Sequence, residues 1–123
     1  MRTQVNVLLA IRSHAAREYL RRLIQSQQDM VIVGVETDPV EILLATAETE
    51  AQVVVLDLLE GNADPGICSH LLTEFPQLLI LALSSNRDTG ILYRQRIVKK
   101  RLNAPSDGEI LSAIRRAKLA MTN

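Results

Sequence analysis

Val53-Val54-Val55-Leu56 sets four apolar residues in a row where a half-exposed strand would alternate, and the run ends in a carboxylate, Asp57. A strand that is apolar on both faces has to be covered on both, which points to a central position in a sheet flanked by helices. The rest of the chain supplies such layers. Val5–Ala10, Val31–Val35 and Leu78–Leu83 are further apolar runs of strand length, with helical periodicity between them. Ser13 can cap a first helix that aligns Ala15, Ala16, Tyr19, Leu20, Leu23 and Ile24. Asp38-Pro39-Val40-Glu41 opens a second with a capping acid, a proline in the first helical position and a glutamate three residues after the cap. Its predicted buried stripe is Val40, Leu43, Leu44 and Ala47. Asp64-Pro65 starts a third helix with Ile67, Leu71, Leu72 and Phe75 inward, stopped by Pro76. Ser106-Asp107-Gly108-Glu109 is a capping box for the last helix, with Ile110, Ala113, Ile114, Ala117 and Met121 as its stripe. Residues 85–104 are irregular, interrupted by Gly90 and rich in charge. They are predicted to hold a helix and a fifth strand near Ile97-Val98 or Leu102. The alternation of strands and helices with short connections implies an α/β fold with a parallel sheet and helices on both faces, with residues 1–123 as a single domain.

Composition removes several classes of function. A chain of 123 residues, 47% hydrophobic and 23% charged, is globular. Aromatics make up only 2%, so the core is built from Val, Leu, Ile and Ala, and base stacking on single strands lacks its aromatic faces. No apolar run approaches the roughly 20 residues that span a bilayer. Met1-Arg2-Thr3-Gln4 leads straight into a strand without a signal-peptide pattern. The single Cys68 excludes an internal disulfide, and a cytoplasmic location is the default expectation. Spaced helically with Leu71, Leu72 and Phe75, Cys68 reads as a small core residue.

The net charge is zero, yet the charges are segregated. From Leu23 to Asn86 there is no Lys or Arg, and that stretch holds ten acids. Arg12, Arg17, Arg21 and Arg22 lie before it. Arg87, Arg94, Arg96, Lys99, Lys100, Arg101, Arg115, Arg116 and Lys118 follow it. Such a molecule has directional electrostatics.

In parallel α/β sheets ligands sit at the carboxyl ends of the strands, which is where Arg12, Asp57 and Ser84 fall. His14 and His70 have no partner at zinc-ligand spacing. No Gly-rich phosphate loop follows the first strand, and no Ser-His-Asp or Cys-His arrangement is present.

The order and spacing of Ala10 through Leu20 with Arg17-Glu18, Val31-Ile32-Val33-Gly34-Val35-Glu36, Val53-Val54-Val55-Leu56-Asp57-Leu58, Ile80-Leu81-Ala82-Leu83-Ser84 and Ile110-Leu111-Ser112-Ala113-Ile114 resemble the receiver domain of bacterial response regulators. The subgroup that precedes a helix-turn-helix output domain is the most similar, and the resemblance covers nearly the whole chain. It implies a CheY-like, flavodoxin-like (βα)5 fold, a five-stranded parallel sheet in the order 2-1-3-4-5. It also places Asp57 at the phosphoacceptor position and Ser84 at the switch hydroxyl.

The departures from that pattern fall on its chemistry. The two metal-binding acids of the family align with Ile11 and Arg12, and its Met-Pro pair aligns with Glu60-Gly61. Its lysine aligns with Asn103, or in another register with Lys99 or Lys100. Its aromatic switch aligns with Lys100 or Arg101. Phosphoryl transfer needs a metal and a cation to neutralise the phosphoryl oxygens, and Mg²⁺ needs hard oxygen ligands. Arg12 puts a permanent positive charge where that metal would sit, so no metal and no cofactor are expected. Arg12 could instead pair with Asp57 through two hydrogen bonds, the alternative being an exposed arginine and a solvated carboxylate. Ser84 either bonds a phosphoryl group or simply begins a loop, and Glu60 is either a second carboxylate or a solvated loop acid. Arg94, Arg96, Lys99, Lys100 and Arg101 are expected on the fourth-helix/fifth-strand edge, where receivers dimerise or meet partners. Arg17, Arg21, Arg22, Arg115, Arg116 and Lys118 offer a second basic face. The expected function is an atypical receiver, not an enzyme, that serves signal transduction or transcriptional regulation as a phosphorylation-independent interaction module. It would bind a protein partner or itself, with no direct nucleic-acid or membrane binding. The alternatives are a working response regulator phosphorylated on Asp57 and a small-molecule or nucleotide sensor.

Overall fold

The computed structural model describes residues 4–59, 62–63, 65–84, 86, 88–94 and 97–121. Strands β1 (Val5–Ala10), β2 (Met30–Val35), β3 (Val53–Leu59), β4 (Asn62–Ala63), β5 (Leu79–Leu83), β6 (Thr89–Arg94) and β7 (Ile97–Asn103) accompany helices α1 (His14–Gln25), α2 (Pro39–Glu48), α3 (Pro65–Glu74) and α4 (Asp107–Met121). The sheet runs β2-β1-β3-β5-β6-β7, with the two-residue β4 turned back on β3. β2, β1, β3 and β5 are mutually parallel. Val53, Val54 and Val55 of β3 are fully buried, as a central strand requires. One core cluster joins the sheet to α1 and α4 through Leu9, Ile24, Leu81, Ile110 and Ile114. The other joins it to α2 and α3 through Leu8, Ile42, Val54, Leu71 and Ile80.

The helix starts follow the sequence signals. Ser13 Oγ accepts from the Ala16 N–H at 3.3 Å, and Asp38 Oδ2 accepts from the Glu41 N–H at 3.1 Å. Ser106 and Glu109 close the capping box reciprocally at 2.9 and 3.2 Å. α3 buries Ile67, Cys68, Leu71 and Leu72, with Phe75 packed behind them.

The α/β class, helices on both faces, and the order of the first four long strands are as the sequence predicts. The segment after Ser84 is different. In place of a helix and one parallel fifth strand, Thr89–Arg94 returns antiparallel to β5, and Ile97–Asn103 then pairs antiparallel to β6. β6 therefore takes the place beside β5, and β7 lies one strand further out, parallel again to the first four. Strand chemistry explains it: Ile91, Leu92, Tyr93, Ile97 and Val98 are β-branched, aromatic or apolar residues of high strand preference. Gly90 lets the two strands approach, because a Cβ there would meet Leu83 Cδ2 at 3.1 Å and Leu102 Cδ1 at 3.3 Å.

α2 is also rotated from its predicted setting. It buries Ile42 and Thr46 and leaves Val40 61% and Leu44 51% exposed. Thr46 fits the core because its hydroxyl donates to the Ile42 carbonyl at 2.6 Å, which leaves only an apolar outline to pack. On this geometry Ile42→Ala should cost about 2–4 kcal/mol, whereas Leu44→Ser should stay within about 0.5 kcal/mol of wild type. Urea unfolding of the two variants checks the orientation.

Candidate functional site

β1, β3 and β5 bring Arg12, Asp57 and Ser84 to one end of the sheet. Ala10 lies opposite Leu56, and Asp57 lies opposite Leu83. The half-buried Asp57 carboxylate accepts a hydrogen bond from the backbone N–H of Arg12 at 2.9 Å. Of the two readings of Arg12, the exposed arginine is the one found: its side chain is exposed, and among the described residues it forms no ion pair with Asp57. The reason is local. With its main-chain N–H turned toward Asp57, Arg12 contributes backbone to the site, and its long side chain is free to be hydrated.

Ile11 is only 1% exposed and belongs to the core that includes Leu9, Ala16, Leu20 and Leu83. Arg17, expected on a basic face, reaches back instead. Its Nη1 donates to the Ile11 carbonyl at 2.9 Å and lies 3.5 Å from that of Arg12. The loop after β1 is thus held by an arginine from the next helix. An arginine seven residues beyond the end of β1, within the first turn of the following helix, was the available sequence signal.

Ser84 closes a tight turn. Its Oγ lies 2.8 Å from Asp88 Oδ1 and 3.0 Å from Asn86 Oδ1, and accepts from the Thr89 N–H at 3.1 Å. The Ser84 N–H donates to the Thr89 carbonyl at 3.0 Å. A single hydroxyl proton cannot serve both acceptors, and Asp88 is the nearer and charged one. That hydrogen bond is the leading cause holding the Asp88 carboxyl below its ordinary value; desolvation opposes it, and Thr89 and Asn86 add smaller lowering contributions.

Asn103 is not brought to the site. β7 stands three strand spacings from β3, about 14 Å, instead of the two spacings of a five-stranded receiver sheet. Lys99 and Lys100 share that strand, so neither register returns a lysine to Asp57. The fourth-helix/fifth-strand edge is likewise replaced by the β6–β7 hairpin. Arg101 is exposed there. Arg94 is half-buried, with Nε and Nη2 lacking a hydrogen-bond partner. Burial first, and then the nearby Arg116, lower its pKa. Arg96, Glu60 and Gly61 lie outside the described residues.

The donor set does not suit Mg²⁺. Asp57 offers one carboxylate whose Oδ2 already accepts an N–H, Ile11 offers no oxygen from its side chain, and Arg12 adds a cation. Among the described residues no cluster of three or more His, Cys, Asp or Glu could hold a metal. The cleft at Ala10, Arg12, Thr37, Pro39, Ile42, Leu56, Asp57 and Ile67 has a volume of about 30 Å³, room for a water molecule or two.

No family model and no curated protein matches the sequence. Solved structures do match, and they are response-regulator receivers. The chain has their CheY-like fold. The response regulator domain of Thermotoga maritima CheB superposes with a TM-score of 0.65 at 20% identity, covering 93% of this chain and 96% of that one. The isolated REC domain of RcsB from Salmonella enterica serovar Typhimurium, solved with the phosphomimetic BeF3-, gives 0.59 at 17% identity over 94% and 73%. A LuxR-family two-component response regulator from Aurantimonas sp. SI85-9A1 gives 0.56 at 26% identity over 67% of this chain and 59% of its own. Among the described residues no helix is long and apolar enough to cross a membrane.

Two measurements probe this site. Ile11→Asp buries an unpaired charge in the core, and should destabilise the protein by about 3–5 kcal/mol, with millimolar Mg²⁺ giving no recovery in thermal unfolding. Ser84→Ala should move the Asp88 titration upward, toward the ordinary carboxylate range, in carboxyl NMR. In wild type the folded Asp88 pKa is the depressed one. Its contribution to the turn is therefore present above the unfolded value and fades as pH falls through the folded value.

Proposed function

We propose that this chain is a phosphorylation-independent protein-interaction module on a receiver fold, serving signal transduction or transcriptional regulation without catalysing a reaction. The observation that carries the reading is the burial of Ile11. The position that would face a metal belongs to the core, so Asp57 stands without the acids that phosphoryl transfer requires. Two further arrangements support it. Ser84 is engaged by Asp88 and Thr89, and β6 separates the β7 basic residues from the strand that ends in Ser84. Asp57 then serves to fix the β1–α1 connection through the Arg12 N–H.

Partners are proteins, including other copies of this chain. RcsB has been solved as two dimers bound to two parallel DNAs, and this chain spans 45% of that structure's length. Self-association is the part of that behaviour we carry over. Zero net charge gives the molecule as a whole no long-range attraction to DNA. A nucleotide sensor in the Asp57 cleft has little support, since about 30 Å³ is far below the several hundred Å³ of a ligand pocket.

Incubation with Mg²⁺ and acetyl phosphate, followed by intact-mass spectrometry with Asp57→Asn as control, tests the reading. The expected result is an unmodified wild-type chain; a stoichiometric acyl phosphate on Asp57 would falsify it.

A further inference from the structure

The two outer strands of the sheet differ in a way that suggests what they meet. Among the described residues no strand pairs the outer side of β2 or of β7. β2 reads Met-Val-Ile-Val-Gly-Val, six residues without a charge or proline, and Val31 is 36% exposed. On α2, Val40 and Leu44 are likewise exposed. Proteins normally blunt an edge strand with charge, proline or a covering element, and β2 carries none of the first two. β7 is the opposite case: Lys99, Lys100 and Arg101 follow one another along it.

Charge and direction agree on a match. Glu36, Asp38 and Glu41 lie at the carboxyl end of β2 and the start of α2, within the stretch that contains no Lys or Arg. Asp29, at the other end of β2, is already held by Arg115 at 2.7 and 3.2 Å. β7 points the same way as β2, because two antiparallel steps separate it from β5. A β7 strand laid on β2 of another copy in this common direction continues the sheet in parallel. It brings the Arg101 end to the Glu36–Glu41 end. A two-fold β7–β7 junction would instead set Lys99, Lys100 and Arg101 against themselves, and like charges directly opposed are destabilising.

We infer that copies of this chain associate head to tail, the basic β7 edge of one adding to the uncharged, acid-flanked β2 edge of the next. Such a heterologous contact need not close, so the assembly grows with concentration instead of stopping at a dimer. Salt weakens it by screening. The inference rests on the interaction-module reading but not on the fate of Asp57. Acyl phosphate formation would leave it standing, whereas a monomeric wild type would overturn it alone.

Sedimentation equilibrium of the full chain at low salt tests it, with circular dichroism confirming that each variant is folded. Wild type should rise in mean mass with concentration. Val31→Lys and Arg101→Glu should each lose that rise alone, and an equimolar mixture should associate again but stop at a one-to-one dimer, because each variant keeps one native edge. Val33→Lys, on β2 itself, and Lys100→Glu serve as the second pair if either first variant unfolds. A wild type that remains monomeric up to millimolar concentration overturns the inference. So does Arg101→Glu that still associates, which marks a β2–β2 junction, or Val31→Lys that still associates, which marks β7–β7. A mixture that stays monomeric overturns it as well.

Discussion

Ser84 ends β5 with hydrogen bonds to Asp88 and Thr89 that send the chain back along the strand it has just left, and the remainder of the molecule is arranged around that reversal. Once the chain returns antiparallel, the place beside β5 is filled by Leu92 on one face and Ile91 on the other, in separate core layers. β7 is then displaced outward, and α4 packs across the sheet from there. The separation of β7 from Asp57 follows from topology alone. A side chain on the outermost strand is too far away, whatever its chemistry.

Much of this was legible in the residues. Helix starts are written in local chemistry, a side-chain oxygen placed to accept from a nearby N–H, and so Ser13, Asp38 and Ser106 could be read directly. The central strand announced itself because four apolar residues in succession admit no solvent face. α2 was less legible: Val40, Ile42, Leu43, Leu44, Ala45 and Ala47 give two competing stripes. The one chosen depends on Thr46, a polar residue made compatible with the core by a bond to its own helix. The hairpin was missed because a short apolar run fits helix and strand alike, and the family pattern favoured a helix. Ser84, Asn86, Asp88 and Gly90 are turn-forming residues that argued the other way. At the candidate site the substitutions at Ile11 and Arg12 were plain, but their consequences were not. Whether an arginine gives its side chain or its backbone to a neighbour depends on the course of the loop.

The basic residues illustrate the same difference between composition and placement. Arg17 holds backbone carbonyls, Arg21 lies 3.1 Å from Glu18, and Arg115 forks onto Asp29 while also meeting Gln27 at 2.7 Å. These side chains join α1, α4 and the connection into β2, so much of the expected basic face on those helices is internal bracing. What remains segregated is the contrast between the two sides of the sheet.

The burial of Ile11 has a consequence for how such a chain changes over time. Ile11 shares its core with Leu9, Leu20 and Leu83, so an acid introduced there meets an interior already shaped around a branched aliphatic. Neighbouring residues would have to change first, each without benefit until the last. Charge at this point of the interior is therefore constrained by several side chains at once, whereas exposed positions such as Val40 and Leu44 can change without them.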